Sequence, residues 1–192
     1  TEGTATLTPY VLADNGTLTP LDNPANADVM FISGPSQDNN AITLNRGTTL
    51  KLGLNEESPL TNYSIQYDIR TSEINSYYGL LQTNLNNNSD AVLFISNDGR
   101  LGLGIMGYGG HVDTDTWYRI LYVVKDGCPQ IYENGELIRS ATTSDDRWTM
   151  DKTGAFLFCD NDGETGTFDI AELDFWNFAL SASQVARIGI IK

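Results

Sequence analysis

Basic charge is what this chain has least of. Eleven Lys and Arg stand against 25 Asp and Glu, for a formal net charge of −14. Nucleic-acid binding needs clustered cations that displace counterions, and the sequence holds no such cluster. Adhesion to an anionic membrane surface is disfavoured for the same reason. Cysteine is scarce too. Cys128 and Cys159 are too few for a disulfide scaffold and lack metal-ligand spacing. Either they pair and close a loop worth ~3 kcal/mol, or they are two small buried thiols. His111 is the one histidine, within Gly107-Tyr108-Gly109-Gly110-His111-Val112-Asp113. With no Gly-x-Ser-x-Gly elbow or Cys–His pattern beside it, it reads as a surface-loop residue rather than a catalytic base. No apolar run approaches the roughly 20 residues that span a bilayer. No signal peptide is visible at Thr1, which says little about location.

What is present is a β pattern in 192 residues, enough for one domain with a substantial core. Trp117 to Val124 and Cys128 to Glu133 are strand-like and separated by Asp126-Gly127. Asn134-Gly135 then leads to Glu136-Leu137-Ile138. Asp-Gly and Asn-Gly favour the positive φ angles of tight hairpins, so this stretch predicts a three-strand antiparallel meander. Further strand-like runs fall at 28–33, 41–44, 48–53, 63–70, 77–83, 91–96, 100–106, 154–159 and 167–176, with an opening strand near Ala5–Thr8. Short strands divided by Gly, Asn, Asp and Pro predict a sandwich or barrel. In 63–70, Ile65, Tyr67 and Ile69 are expected to face the core, and Gln66, Asp68 and Arg70 the water. Gly102 and Gly104 strip side chains from one face of their strand, leaving either a close-packed neighbour or an open ligand floor. Ser181-Ala182-Ser183-Gln184 has capping-box spacing and starts one short helix.

Two segments carry a family resemblance. One is the Trp117–Ile138 meander. The other is Phe168-Asp169-Ile170-Ala171-Glu172-Leu173-Asp174-Phe175-Trp176-Asn177-Phe178-Ala179-Leu180-Ser181. Together they resemble laminin-G-like domains of the concanavalin A-like lectin/glucanase superfamily, over about residues 28–190. The resemblance implies an all-β, two-sheet antiparallel jelly roll with a short C-terminal helix. It also implies ligands bound on a concave face or at rim loops, and structural roles at core positions for Trp117 and Trp176. The expected organisation is a single domain: an N-terminal strand and loop segment over 1–27, packed on a laminin-G-like unit over 28–192. Ala171 departs from the pattern, because many members carry an Asp there that in some helps hold calcium.

Three chemistries are open. Glu172-Leu173-Asp174-Phe175-Trp176 resembles the Glu-x-Asp-x-Glu strand of β-glucanases on this fold. Glycoside hydrolysis needs two carboxyls, and residues i, i+2 and i+4 of a strand share one face. Here the i+4 position is Trp176 and the next residue is Asn177, so the second glutamate is absent. Metal binding is offered by Asp160, Asp162 and Glu164 around Gly163, with Asp169 nearby. Such oxygen ligands suit a structural calcium, though Asp, Asn and Gly are also ordinary turn formers. Sugar binding asks for exposed rings beside polar groups. The candidate rings are Tyr77, Tyr78, Tyr108 and Trp148. The candidate hydrogen-bonding residues are Asn86, Asn87, Arg147, Asp160 and Asn161. Trp148 is either such a platform or a ring folded over the sandwich edge. In a strand Tyr77 and Tyr78 point to opposite faces, so at most one meets a given ligand.

The reading that results is a non-catalytic glycan-binding module of an extracellular, cell-surface or periplasmic protein. Its partner is an oligo- or polysaccharide, and no cofactor is required beyond the option of calcium. A structural or protein-adhesion module is the alternative, and a glycosidase the third reading.

Overall fold

The computed structural model describes residues 41–189 and, for the backbone alone, 6–12 and 18–20. The strand-like run at 28–33 lies outside the described residues. The strands are β1 (Thr6–Leu12), β2 (Leu18–Pro20), β3 (Ile42–Leu44), β4 (Thr48–Gly53), β5 (Tyr63–Thr71), β6 (Tyr78–Gln82), β7 (Leu93–Ile95), β8 (Leu101–Leu103), β9 (Gly107–Gly109), β10 (Tyr118–Lys125), β11 (Cys128–Glu133), β12 (Glu136–Ser140), β13 (Gly154–Leu157) and β14 (Phe168–Trp176). One α-helix, α1 (Ala182–Ile188), follows. Among the described residues the strands form two antiparallel sheets. The larger runs β2-β1-β4-β13-β6-β7-β8-β9 and the smaller β12-β11-β10-β5-β14-β3. This is the expected jelly-roll sandwich. The two short strands β2 and β9 carry no strand signal in sequence; β9 is Gly-Tyr-Gly and is held by pairing with β8.

The meander forms as its turn residues require. Asp126 and Gly127 have φ of 51° and 72°, and Asn134 and Gly135 have 48° and 84°. Both pairs match the left-handed geometry of a tight hairpin. The core lies between the sheets. Tyr63, Ile65, Tyr67 and Ile69 of β5 meet Ile120, Tyr122 and Val124 of β10, Phe168 and Ile170 of β14, and Leu50, Leu81, Leu93 and Leu101 of the opposite sheet. Each such side chain contributes roughly 1.5–3 kcal/mol by leaving water.

The outer face of β5 differs from expectation. Gln66 and Asp68 are 2% exposed rather than solvated. The chain after β14 turns back over this face. Ser64 Oγ donates to the Phe178 carbonyl at 3.0 Å and accepts from Leu180 N–H at 2.9 Å. Then α1 packs Val185 on Leu121, Val123 and Tyr132. The helix starts where its capping box lies: Ser181 Oγ accepts from Gln184 N–H, and Gln184 Oε1 accepts from Ser181 N–H at 2.8 Å.

Ala171 is the irregular point of β14. The register against β5 shifts between Ile170 and Glu172. That slip changes which parity faces inward. Phe168 and Ile170 point into the core before it, and Leu173 after it, which turns Glu172 and Asp174 outward.

On the outer face of the larger sheet, Leu85 of the loop after β6 packs on Phe156 and Cys159. Gln82 Nε2 donates to Asn87 Oδ1 at 2.9 Å and to the Ser89 carbonyl. These contacts bring the 83–92 loop against the 159–165 loop, beside the β6-β7-β8-β9 end of the sheet.

Candidate functional site

At that end, Tyr77 and Tyr78 diverge as alternation requires. Tyr78 is fully buried, edge-on to Phe168, with its hydroxyl donating to Asn75 Oδ1. It cannot serve as a ligand ring. Tyr77 lies on the outer face, edge-on to Phe94 at 6.3 Å between centroids and to Tyr108 at 6.1 Å. Phe94 sits opposite Gly79 and Gly102 in the sheet, and Gly102 sits opposite Tyr108. A Cβ at Gly79 would lie 2.6 Å from the Cys159 carbonyl oxygen, and one at Gly102 would lie 2.2 Å from that of Gly107. Close backbone approach therefore explains Gly102, whereas Gly104 faces open space. The result is a half-exposed aromatic ledge of Tyr77 and Tyr108, backed by the buried Phe94.

Acids border the ledge. Asp160 is 1% exposed, and its Oδ1 accepts the Ala91 N–H at 2.6 Å. Burial, with Asp162 beside it, pushes its carboxyl up to about 7. Asp160, Asp162 and Glu164 can bring carboxylate oxygens within 4.8 Å of one another. Glu164 is raised by burial and by the charges of Asp162 and Asp90. The Tyr108 hydroxyl is pushed up to about 12 by burial, then by Tyr77, Glu164, Asp90 and Asp98. Ledge and acidic loop thus share one electrostatic environment. Asn161 Oδ1 is sealed from solvent and has no hydrogen-bond partner.

Other sequence candidates fall elsewhere. Asn86 and Arg147 line a polar groove of about 660 Å³ with Ser89, Asp90, Asp146 and Asp151. Leu103 lines this groove and pairs with Gly107, next to Tyr108, so groove and ledge are neighbours. Trp148, at 2% exposure, is packed into the core, and Tyr63 Oη donates to its carbonyl at 2.9 Å. Of the two readings of this ring, the folded-in one is correct. Asn87 is buried, with Oδ1 accepting from Gln82 and from the Cys159 thiol at 3.2 Å. It is a loop anchor rather than a ligand contact. Asp169 is not part of the acidic triad: it accepts from Arg70 at 2.8 Å and from Thr43 at 2.7 Å. Asp90 and Phe94 were missed in the sequence. Phe94 carries a faint signal, as the odd member between the inward Leu93 and Ile95.

Residues 61–186 match a family model described as the concanavalin A-like lectin/glucanases superfamily. The chain belongs to this superfamily. No curated protein matches it in sequence. Solved structures share the fold at low identity. The binding domain of Paraclostridial Mosquitocidal Protein 1 has a TM-score of 0.58 at 14% identity, over 95% of this chain and 51% of that one. A Trypanosoma rangeli sialidase has a TM-score of 0.58 at 10% identity, over 93% of this chain and 31% of that one. This chain therefore spans about half of the first and a third of the second. Domain 4 of AbnA, a GH43 extracellular arabinanase from Geobacillus stearothermophilus solved with arabinotriose, has a TM-score of 0.57 at 20% identity, over 96% of this chain and 98% of that domain.

Within this superfamily, the strand that resembles a glucanase motif has other work here. Arg119 on β10 donates Nε to Asp68 Oδ1 at 2.7 Å, Nη2 to Asp68 Oδ2 at 2.5 Å and to Glu172 Oε2 at 3.1 Å, and Nη1 to the Ile188 carbonyl at 2.9 Å. Glu172 is thereby part of a clamp that ties the end of α1 to the sheet. Burial and the neighbouring Asp174 raise its carboxyl. Trp176, where a second glutamate would stand, packs with the α1 cluster. Trp117, expected at a core position, instead lies outside the core, half-buried under the Arg70 guanidinium at 4.9 Å. His111 is exposed and 3.2 Å from Asp113. Cys128 and Cys159 are both free thiols, so the paired alternative is not realised.

Proposed function

We propose that this chain is a non-catalytic oligosaccharide-binding module, and that the saccharide lies across the Tyr77–Tyr108 ledge. The observation that carries this reading is the ledge itself: two half-exposed rings, 6.1 Å apart, on the outer face and bordered by hydrogen-bonding acids. A ring presents its flat apolar face to sugar C–H groups, while Asp90 and Glu164 offer acceptors for hydroxyls. The end-to-end likeness to a domain solved with arabinotriose supports the class of partner without specifying it. An extracellular, cell-surface or periplasmic setting goes with such a partner. Titration calorimetry with arabinotriose, followed by a glycan array, tests it. Tyr77→Ala and Tyr108→Ala should each weaken binding by about 1–1.5 kcal/mol, roughly tenfold. Binding that survives both changes refutes the ledge, and no saccharide binding at all refutes the function.

A calcium ion at the Asp160–Asp162–Glu164 triad is part of the proposal. The donor set is all oxygen, as calcium prefers, and Asn161, between Asp160 and Asp162 in sequence, has a sealed Oδ1 without a hydrogen-bond partner. Calcium should raise Tm and a chelator should reverse the rise. An unmoved Tm removes the ion from the proposal.

The adhesion alternative has one observation of its own. Ile105 and Leu137 are 58% and 48% exposed, and Leu137 lines a groove of about 440 Å³ with Met106 and Ile138. Protein binding that is lost in Leu137→Asp but kept in Tyr77→Ala would favour it.

A further inference from the structure

We infer that the saccharide partner is free of acidic groups: this face accepts uncharged or amino-bearing oligosaccharides and repels those carrying carboxylate or sulfate. The inference rests on the glycan-binding reading and deepens it to a ligand class.

The argument is a charge balance around the ledge. Asp160 and Asp162 cluster with Glu164, and their loop lies on the ledge's strand. Gly79, opposite Phe94, donates its N–H to the Glu164 carbonyl at 2.8 Å, and Ala91, next to Asp90, donates its N–H to Asp160. Asp90, Asp98 and Glu164 also raise the Tyr108 hydroxyl. Two guanidiniums stand near these five carboxylates. Arg100 is taken by Asp98, with Nη2 at 2.6 Å and Nε at 2.8 Å from Oδ2. Arg139 donates to the backbone carbonyls of Ile138 and Tyr108. The adjoining groove has the same sign. Asp90, Asp146 and Asp151 line it against Arg147, whose Nε and backbone N–H both go to Asp145 Oδ1 at 2.9 Å.

Proteins recognise a carboxylate or sulfate through a free guanidinium fork or a cluster of N–H donors. Arg100 turns Nε and Nη2 onto Asp98, Arg147 gives its Nε to Asp145, and Arg139 gives N–H groups to backbone carbonyls, so carboxylates outnumber guanidiniums around this face. An anionic sugar laid on the ledge would add like charge beside Asp90 and Glu164, where acids outnumber Arg100 and Arg139. A hydroxyl or an ammonium donates to those same carboxylates. The surplus acts through solvent, so it works within about a Debye length and weakens as salt rises.

A glycan array carrying matched neutral, amino and acidic forms, with galactotriose and trigalacturonic acid as one pair, tests this. Calorimetry on the strongest pair follows, in chelator so that no bound cation alters the balance, and at a pH above the Asp160 midpoint. The neutral form should bind about fivefold or more tightly than its acidic counterpart at low ionic strength, with the gap narrowing at high salt. Asp90→Asn with Glu164→Gln should narrow it as well. An acidic form that binds as tightly as its neutral counterpart overturns the inference, as does a gap that neither salt nor the double variant changes. Absence of binding in every arm is a distinct result, and it overturns the glycan-binding reading together with this one.

Discussion

Arg119→Met tests the clamp on the outer face of β5 directly. The guanidinium makes two bonds to Asp68, one to Glu172 and one to the Ile188 carbonyl. Its side chain is 13% exposed and that of Asp68 is 2% exposed. Removing one partner of a buried ion pair costs about 3–5 kcal/mol, because the remaining charge has no compensation. The residual exposure of Arg119 and the greater exposure of Glu172 place this case near 3 kcal/mol. For a chain of this size that corresponds to about 6–12 °C in Tm. The loss depends on pH with a definite sign. Burial already raises the Asp68 carboxyl, and Arg119 opposes that rise. Without Arg119 the folded-state value climbs further above the unfolded one. The folded variant then takes up a proton that the unfolded chain does not, so it regains stability as pH falls. Urea unfolding near pH 7 and near pH 5 should show the gap to wild type shrinking on acidification. Arg119→Met with Asp68→Asn should recover more than about 1 kcal/mol of the loss. A cost below about 1 kcal/mol, or one that does not change with pH, would refute the buried clamp.

Three further outcomes follow from burial. Trp148→Ala should destabilise by about 3–5 kcal/mol in urea while the folded fraction keeps its saccharide affinity; lost affinity with intact stability would return Trp148 to the ligand surface. Cys128 is half-buried, whereas the Cys159 thiol is buried and pushed up to about 12. A thiol reagent should therefore modify Cys128 in the native state and reach Cys159 only in denaturant, and mass spectrometry reads the difference. Asp160 is raised to about 7 from an ordinary value near 4. The folded chain holds its proton across that interval, so stability falls as pH rises through it. In chelator, Asp160→Asn should flatten that limb of the Tm–pH curve, and an unchanged slope assigns it to another group.

The sequence by itself determined whatever depends on neighbours a few residues apart. Asp126-Gly127 and Asn134-Gly135 specified hairpins, because their left-handed φ values are local properties. Ser181 and Gln184 specified a helix start three residues apart, and alternation in 63–70 identified the inward face of β5. Alternation also separated Tyr77 from Tyr78. Tertiary structure decided which distant residues meet. Trp148 has polar sequence neighbours, yet it is sealed by strands far away in the chain. The outer face of β5 looked solvated because the segment that covers it lies more than a hundred residues later. Ala171 looked like a lost ligand and proved to be where β14 slips register, turning Glu172 toward Arg119. The ledge joins Tyr77 to Phe94 and Tyr108 through strand pairing, and Asp90 reaches it from a loop. A pattern of side chains records which face each residue prefers. It does not record which strand will lie alongside, because pairing register is set by the packed sandwich as a whole.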